Sequence, residues 1–492
     1  MKNTLLTLLV FTLVSAPMAG TPQVQSVVDA NTTFALSLYS QLATNSGNLF
    51  FSPYSISTCL AMLYAGASGN TEQQMSQVLG FGTNQQQFAS LFGQLQAEVE
   101  ADQQTNAIDL NIANALWIQE GFPFLPAFLQ TASNQYQANI GQADFISEAG
   151  EVTDEINNWV AQQTQNRIQN IVPPNAIDAA TRLVLANAIY FLGAWTIPFA
   201  ETNTSMQPFY LSSTTLVQVP LMHQPLREVA GADGYIVKVT FNYMQSYPSG
   251  SAPVSSNDFQ AIELPYGSNQ LSMVILLPSK IDGLGRLEQQ LSPAFLSNVL
   301  RQMTPRQVEI FLPRFTVESS FDLGKTLAAM GMSDAFRPYV ADFSGIDGGR
   351  DLYVSFVLHK AWGQVNEAGT EAAAATVIGV VGTAILVPPV FRADHPFLFL
   401  IRDTRNGSVL FLGRLTNPIP SANPATPALT VTPSAGGLTI SWPSSLTGLR
   451  LRQSSDFANW TASSGVSNDG TNKSITITGS GSGSLFFRLS SQ

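Results

Sequence analysis

Three stretches of the chain repeat apolar residues at the spacing of an amphipathic helix. The pattern is clear in residues 31–42, where Phe34, Leu38 and Leu42 recur every four positions. Side chains at this spacing share one face of a helix, so the pattern predicts a helix that packs against a core. Two further ranges carry the same pattern, namely residues 85–99 and 152–164.

Other apolar runs are short and lack the helical period, which is typical of buried strands. The longest, residues 183–192, is almost continuously apolar, and three shorter runs occupy residues 270–277, 307–312 and 398–402. Helical and strand-like segments are mixed, without internal repeats, from about residue 25 to 415. We therefore predict one large domain of helices and strands in this part of the chain.

The composition changes after residue 417. Residues 417–427 contain four prolines among small residues, which predicts a linker over residues 419–428. Beyond it the chain is rich in Ser, Thr and Gly, with short alternating runs such as residues 438–442. We predict that residues 429–492 form a small all-β, sandwich-like module. Its role could be surface attachment, sorting or spacing, and its aromatic side chains favour a small core over a carbohydrate platform.

The N-terminus has the features of a secretory signal peptide. Lys2 precedes an apolar run over residues 5–14, and small residues follow it, as in signal peptides. A membrane anchor is the alternative, but about 20 apolar residues are needed to span a bilayer. We assign residues 1–19 to the signal, with cleavage between residues 16 and 20. The mature protein is expected outside the cell, or in the periplasm or on the cell surface of a bacterium, without a membrane span.

Charge and chemistry exclude several classes of function. The 492 residues carry a net charge of -11 and contain no cluster of basic residues, so a nucleic-acid partner is not expected. Cys59 is the only cysteine, and the histidines at 223, 359 and 395 are far apart, so we expect no metal site and no cofactor. The sequence contains no nucleophile, base and acid at the spacing of an enzyme motif, and the chain is predicted not to be an enzyme.

Four segments of the chain resemble the motifs of one family, in the family's order and at its separations. They are residues 48–57 (NLFFSPYSIS) with 65–71, residues 183–191 (LVLANAIYF) with Gly193 and Trp195, residues 359–361 (HKA) with 365–375 (VNEAGTEAAAA), and residues 393–399 (ADHPFLF) with 412–414. Together they resemble the serpins, a family of serine protease inhibitors. The signal peptide suggests a secreted member, and the C-terminal module resembles the short β domains appended to secreted bacterial proteins. The resemblance implies an α+β serpin fold over residues 25–418, with three β-sheets, about nine helices and an exposed reactive loop.

The segment after residue 368 is suited to enter a sheet as a strand. Alternate side chains of a strand point to opposite faces. The inward set would be Thr370, Ala372, Ala374 and Thr376, all of which are small, and the outward set begins with Glu371. Gly369 supplies a pivot. An Ala-rich helix is the alternative reading, but the β-branched and glycine-containing residues 376–387 argue against it. The predicted hinge is Gly369, Thr370, Glu371, Ala372, Ala373, Ala374 and Ala375.

Residues 376–387 carry no charge and are mostly apolar, which would be an aggregation hazard in an ordinary edge strand. They suit the bait loop of a protease inhibitor. By the family's spacing the attacked residue is Thr383, so the reactive bond is Thr383–Ala384; counting backward from Pro396 leaves Ile385 open. The loop offers no basic or aromatic residue for a trypsin-like or chymotrypsin-like pocket, which favours elastase-like or subtilisin-like targets.

The resemblance implies suicide inhibition: a serine protease cuts the loop, and the cut loop inserts into the main sheet before the covalent acyl-enzyme can hydrolyse. The rival hypothesis is a non-inhibitory serpin-fold carrier, storage or interaction protein. The inhibitor is expected to be a monomer. Residues 85–100 lack the basic face that a heparin site would need.

The resemblance also marks two groups of residues that would control insertion. We call the first the shutter, which comprises Ser52, Ser55, Asn187 and His359, and the second the breach, which comprises Trp195, Arg314 and Glu367. The chain departs from the family pattern at Leu192, where a basic residue is usual, at Gly363, where an aliphatic residue is usual, and at Ala368, where an acidic residue is common. The Gly363 departure could change the rate of insertion.

Overall fold

The computed structural model describes most of the chain and divides it into two compact units, Met1–Ile419 and Pro420–Gln492. The predicted signal peptide, the hinge from Thr370 to Ala375, the reactive bond Thr383–Ala384 and most of the predicted linker lie outside the described residues. Those residues are 22–82, 84–103, 108–121, 123–230, 236–246, 258–267, 269–369, 388–419, 430–434, 437–443, 449–454, 461–463, 465–468, 472–478 and 486–491.

The described part of the first unit contains ten α-helices, the last of them only four residues long. They are α1 (Pro22–Leu42), α2 (Pro53–Tyr64), α3 (Gly69–Leu79), α4 (Gln85–Gln103), α5 (Pro126–Tyr136), α6 (Ala149–Gln163), α7 (Leu284–Gln290), α8 (Pro293–Gln302), α9 (Gly324–Ala329) and α10 (Ser344–Asp347). Two short 3₁₀ helices span Glu201–Asn203 and Asp334–Phe336. The three helices predicted from periodicity correspond to α1, α4 and α6.

The same unit contains eighteen described strands. They are β1 (Leu49–Phe51), β2 (Ile108–Gln119), β3 (Asn139–Ala143), β4 (Leu183–Gly193), β5 (Ser205–Tyr210), β6 (Leu216–Gln224), β7 (Glu228–Ala230), β8 (Ile236–Lys238), β9 (Phe241–Gln245), β10 (Phe259–Tyr266), β11 (Leu271–Pro278), β12 (Thr304–Arg306), β13 (Glu309–Pro313), β14 (Phe315–Asp322), β15 (Phe356–Val365), β16 (Val390–Arg392), β17 (Phe397–Asp403) and β18 (Val409–Leu415). The four apolar runs predicted as strands fall in β4, β11, β13 and β17.

These strands form three larger sheets and a small ribbon. A seven-stranded sheet has the order β1-β18-β17-β11-β10-β9-β12, a four-stranded sheet the order β16-β13-β6-β5, and a five-stranded sheet the order β14-β15-β4-β2-β3. Strands β7 and β8 pair separately. The α+β class and the three principal sheets match the prediction.

The centre of the five-stranded sheet is buried on both faces, because two apolar clusters pack against it. All eleven residues of β4 are buried, and they alternate between the clusters. Leu185 and Ile189 join the larger core, which also contains residues of α2. Ala186 and Tyr190 face the second cluster, which α6 and the segment after it complete. This explains why the sequence of β4 is almost continuously apolar.

Helix α2 supports the sheet from within the core. Each of its residues is buried, as expected of a helix that is packed on all sides. Ser52 caps its N-terminus, since the Ser52 side chain accepts a hydrogen bond from the backbone N–H of Ser55 at 3.0 Å, and Pro53 occupies the first turn. The cap fixes where the helix begins and directs the Ser52–Ser55 turn toward the sheet.

The second unit is all-β in its described residues. Its strands are β19 (Thr430–Ser434), β20 (Gly437–Pro443), β21 (Leu449–Ser454), β22 (Thr461–Ala462), β23 (Ser467–Asn468), β24 (Asn472–Thr478) and β25 (Phe486–Ser491). They form two sheets, β19-β20-β24-β23 and β22-β21-β25. Ile440, Trp442, Leu451 and Ile475 form a small core, and the buried Trp442 belongs to that core.

Within the described ranges, none of the helices has both the length and the apolarity needed to cross a membrane.

Candidate functional site

The central feature of the five-stranded sheet is the seam between β4 and β15. The two strands are parallel neighbours, paired from Phe356 opposite Val184 to Gly363 opposite Phe191. Beyond Val365 the chain continues to Gly369, and the described chain resumes at Pro388. It then enters β16, which pairs with β13 in the four-stranded sheet. The undescribed residues 370–387 therefore connect the end of β15 to a different sheet.

A row of polar side chains crosses the seam on the face toward α2. Asn114 of β2 lies opposite Asn187 of β4, and Asn187 lies opposite His359 of β15. Ser52 and Ser55 approach the same row from the start of α2. The four predicted shutter residues are thus brought together, and all four are buried.

Each side chain in this row makes at least one hydrogen bond. The backbone N–H of Ser52 donates to His359 Nε2 at 3.1 Å, so the ring proton lies on Nδ1 and is donated to Asn187 Oδ1. The Asn187 amide donates to the Ser55 carbonyl at 2.9 Å, to Ser55 Oγ at 2.5 Å and to Asn114 Oδ1. These bonds tie β2, β4 and β15 to α2 at a single level of the sheet.

Burial determines the charge of His359. Desolvation lowers the pKa of its imidazole to about 3, because the buried site cannot solvate the charged form. The ring is therefore neutral at physiological pH. A neutral ring is also what the hydrogen bonds require, since Nε2 must carry a lone pair to accept from Ser52.

Asn114 is the member of this row that sequence reasoning missed. Its Oδ1 accepts from Asn187 and from Ser55 Oγ, the latter at 3.3 Å. One signal could have revealed it. In the alternating pattern of β2, position 114 shares a face with Leu110 and Leu116, which are buried in the core cluster around α2, so an amide there needs a polar partner.

The predicted breach residues meet where β15 ends. Glu367 Oε1 accepts from Arg314 Nη2 at 2.5 Å and from Thr204 Oγ1 at 2.6 Å. The Glu367 side chain is buried, whereas Arg314 is 46% exposed. Burial raises the pKa of the Glu367 carboxyl, but the hydrogen bonds from Arg314 and Thr204 outweigh it, so the pKa lies below its usual value. Glu367 is therefore ionised at neutral pH.

Trp195 holds the backbone that leads into the loop. Its indole N–H donates to the Asn366 carbonyl at 2.9 Å, and its backbone N–H donates to the Ala368 carbonyl at 3.1 Å. The indole stacks on Tyr266 with a centroid distance of 4.3 Å, which fixes its orientation. Trp195 thus anchors the residues that precede the predicted hinge.

Gly369 is the last described residue before the loop, and its position requires glycine. Its φ is +75°, a conformation that side chains disfavour. A Cβ here would lie 2.2 Å from the Trp195 backbone N and 2.4 Å from the Gly193 carbonyl O. The main chain at Gly369 therefore sits directly against the end of β4.

The structure shows what surrounds Leu192 and Gly363, the two positions inside the sheet that depart from the family pattern. Leu192 is buried in the cluster beneath α6, where its apolar side chain adds to the packing. At Gly363 a Cβ would lie 3.0 Å from two carbons of the Phe50 ring. The Phe50 ring therefore takes up the space that an aliphatic side chain at position 363 would occupy.

No metal-binding chemistry is evident in the part of the chain that the structure describes. Within it, no group of three or more His, Cys, Asp or Glu residues is placed to hold an ion. The Cys59 thiol is buried, and burial raises its pKa to about 12, so it is an unreactive core side chain.

Comparisons with known proteins identify the family. Residues 29–418 match the family described as Serpin (serine protease inhibitor). The leukocyte elastase inhibitor of Xenopus tropicalis is 39% identical over 400 residues, which cover 80% of this chain and 100% of the relative.

Solved structures agree with that match. Serpin48, described as a highly specific serpin in the insect Tenebrio molitor, superposes with a TM-score of 0.67 and 32% identity, over 80% of this chain and 98% of that one. Uncleaved ovalbumin gives a TM-score of 0.67 and 29% identity, over 80% of this chain and 100% of that one. The chain belongs to the serpin family, and the family and fold predicted from the sequence are confirmed.

Proposed function

We propose that this serpin inhibits serine proteases by a covalent suicide mechanism. The observation that supports it is the parallel pairing of β4 with β15, together with the direct continuation of β15 into the loop. A cut loop that folds back from Gly369 would run antiparallel to both strands. Between them it could pair with β4 on one side and β15 on the other, so the sheet would gain a strand with both edges hydrogen-bonded.

The chemical step belongs to the target. The protease serine attacks the carbonyl of Thr383, the Thr383–Ala384 amide bond breaks, and the Ala384 amine leaves while Thr383 becomes an ester of the serine. Insertion of Gly369 to Ala375 and the residues beyond then distorts the attached protease before water cleaves the ester. The chain supplies no catalytic residue in this scheme. Insertion of a reactive loop into the main sheet is known behaviour of serpins, and the proposal is that this chain shares it.

Two groups of residues regulate insertion in this proposal. The breach residues Trp195, Arg314 and Glu367 hold the entrance beside the loop, and the shutter residues hold the seam lower down. The shutter is a buried hydrogen-bonded network, and the breach is a partly exposed one. Their bonds must break before the strands separate.

The proposal also covers where the protein is found and which proteases it inhibits. Secretion is supported by Lys2 and the apolar residues 5–14, and a mature N-terminus between residues 17 and 21 would test it. We assign residues 25–418 to the serpin domain, 419–428 to the linker and 429–492 to the appended module.

Elastase-like targets are supported by the small and aliphatic residues 380–384 and by relatives named leukocyte elastase inhibitor. Subtilisin-like enzymes fit the same residues.

Denaturing gels test the mechanism. The protein is mixed with elastase, subtilisin and trypsin, and we expect a complex stable to denaturation with elastase, a slower one with subtilisin and none with trypsin. Mass spectrometry of the released fragment should give Ala384 as its first residue. Cleavage without complex formation by every protease would favour the non-inhibitory hypothesis.

A pair of hinge variants makes the test specific. Thr370→Arg should convert the inhibitor into a substrate, because a charged side chain would enter the core at a cost of several kcal/mol. Glu371→Arg places the same side chain at the neighbouring outward position and should still form complexes. If Thr370→Arg traps elastase as well as the parent does, the inward assignment of Thr370 is wrong.

A further inference from the structure

A cavity of about 230 Å³ opens at the edge of the five-stranded sheet. Strand β3 pairs with β2 only from Ala115 onward, so among the described residues the earlier part of β2 has a strand neighbour on one side only. Side chains from α2, α4, α5 and α6 complete the walls. The cavity is smaller than the sites of drug-sized ligands, which are about 300–1,000 Å³.

The lining chemistry favours a neutral, hydrogen-bonding ligand. Of the eleven described lining residues, six are Asn or Gln, three are aromatic and none is charged. A side-chain amide can donate and accept, as a hydroxyl group does. A charged ligand would lose its hydration without meeting an opposite charge, which is unfavourable. The walls therefore suit a ligand with several hydroxyl groups.

Two side-chain amides on β2, those of Asn111 and Asn114, each have one group beside the cavity that makes no hydrogen bond within the described residues. Asn111 donates to the Tyr190 hydroxyl at 2.8 Å, and Asn114 Oδ1 accepts from Ser55 and Asn187. Across the described residues, Asn111 Oδ1 and Asn114 Nδ2 carry no hydrogen bond of their own. At the open edge of β2, Asn111 thus offers an acceptor on the face toward α6, and Asn114 offers a donor on the face toward α2.

The aromatic wall includes the indole ring of Trp159. Trp159 is half-buried and meets Trp117 edge-on, with ring centroids 6.4 Å apart and an interplanar angle of 78°. An aromatic ring with polar neighbours suits a ligand that has an apolar C–H face and a polar rim. A sugar ring has both.

We propose that this cavity binds carbohydrate, one neutral monosaccharide unit of a glycan. The proposal is independent of protease inhibition, because it rests on the walls of the cavity and not on the loop. The sugar hydroxyls pair with the amides of β2 and of Gln163 at the end of α6, and the ring packs on Trp159.

The test uses the full chain and a panel of D-glucose, D-galactose, D-mannose, N-acetylglucosamine and N-acetylgalactosamine. Saturation-transfer NMR and calorimetric titration should show saturable binding of at least one of them. Gln163→Leu removes one amide from an exposed position and should weaken binding about tenfold, the upper range for one neutral hydrogen bond. Trp159→Ala should abolish binding.

Gln162→Leu is the matched control, since Gln162 adjoins Gln163 on α6 but does not line the cavity. It should bind as the parent does, and melting curves of all three variants should confirm folding. Two results would overturn the proposal. One is the absence of saturable binding by every sugar at tens of millimolar. The other is binding that persists unchanged in Gln163→Leu and Trp159→Ala, which would place the sugar elsewhere on the chain.

Discussion

Mild acid should destabilise the native protein through the single buried side chain of His359. Burial lowers the pKa of its imidazole to about 3, whereas a histidine in an unfolded chain has a pKa of about 6.5. Between these values the unfolded chain binds a proton that the folded protein excludes. The stability contribution is therefore fully present above about pH 6.5 and is lost as the pH falls toward 3.

The magnitude follows from the two pKa values. Well inside the window each pH unit changes the free energy of unfolding by about 1.4 kcal/mol. Integrated from pH 6.5 to 5.0, where most carboxylates remain ionised, the loss is about 1.6 kcal/mol. The unfolding entropy is about 2.1 cal/mol/K per residue. For the matched residues 29–418, the loss lowers the melting midpoint by about 2 °C.

The assay compares the parent with His359→Gln by calorimetry at pH 6.5 and 5.0, at one scan rate because serpin-sized chains often unfold irreversibly. Glutamine keeps a polar group in the row but cannot bind the proton. Lowering the pH from 6.5 to 5.0 should lower the melting midpoint of the parent by about 2 °C more than that of His359→Gln. His223→Gln, which removes a half-exposed histidine outside the row, controls for the loss of a histidine as such. Equal acid shifts in the parent and His359→Gln would refute the reasoning.

Two further substitutions probe the entrance to the sheet. Glu367→Gln should cost about 1 kcal/mol, a figure kept low because Arg314 is half exposed. Because the pKa of Glu367 lies below its usual value, denaturant titrations should show this difference from the parent above about pH 5, and the difference should diminish as the pH falls below the usual pKa of a glutamate. Gly369→Ala should lower the melting midpoint of the uncleaved protein by about 3 °C, since its Cβ collides with the Trp195 backbone and the left-handed conformation disfavours alanine. An unchanged midpoint would mean that the backbone at Gly369 moves away from Trp195 without cost.

The sequence predicted the family, the α+β class and several elements, because these depend on motifs and on apolar periodicity within one segment. It could not predict which strands lie opposite each other. Asn114 shows the limit: it joins the shutter row only because β2 pairs with β4 in a register that places it beside Asn187. Register is set by pairing between distant segments and not by either segment alone.

The two glycines of this region illustrate the same limit in a different way. The sequence predicts Gly369 to be a pivot, and the structure adds a second requirement, since its Cα lies too close to the end of β4 for any side chain. At Gly363 the sequence shows only that an aliphatic residue is missing. The Phe50 ring that fills its place comes from β1, more than three hundred residues earlier in the chain, so no local pattern could have indicated it.

The register of the seam sets the order of events in the proposed mechanism. A strand that enters from Gly369 first meets the contacts of Trp195 and Glu367, which lie beyond the end of β15. It next passes Gly363, which presents no side chain. Only then does it reach His359, four residues further along β15 and paired with Asn187. Substitutions at Glu367 should therefore alter how insertion starts, whereas substitutions at His359 should alter whether an insertion that has started runs to completion.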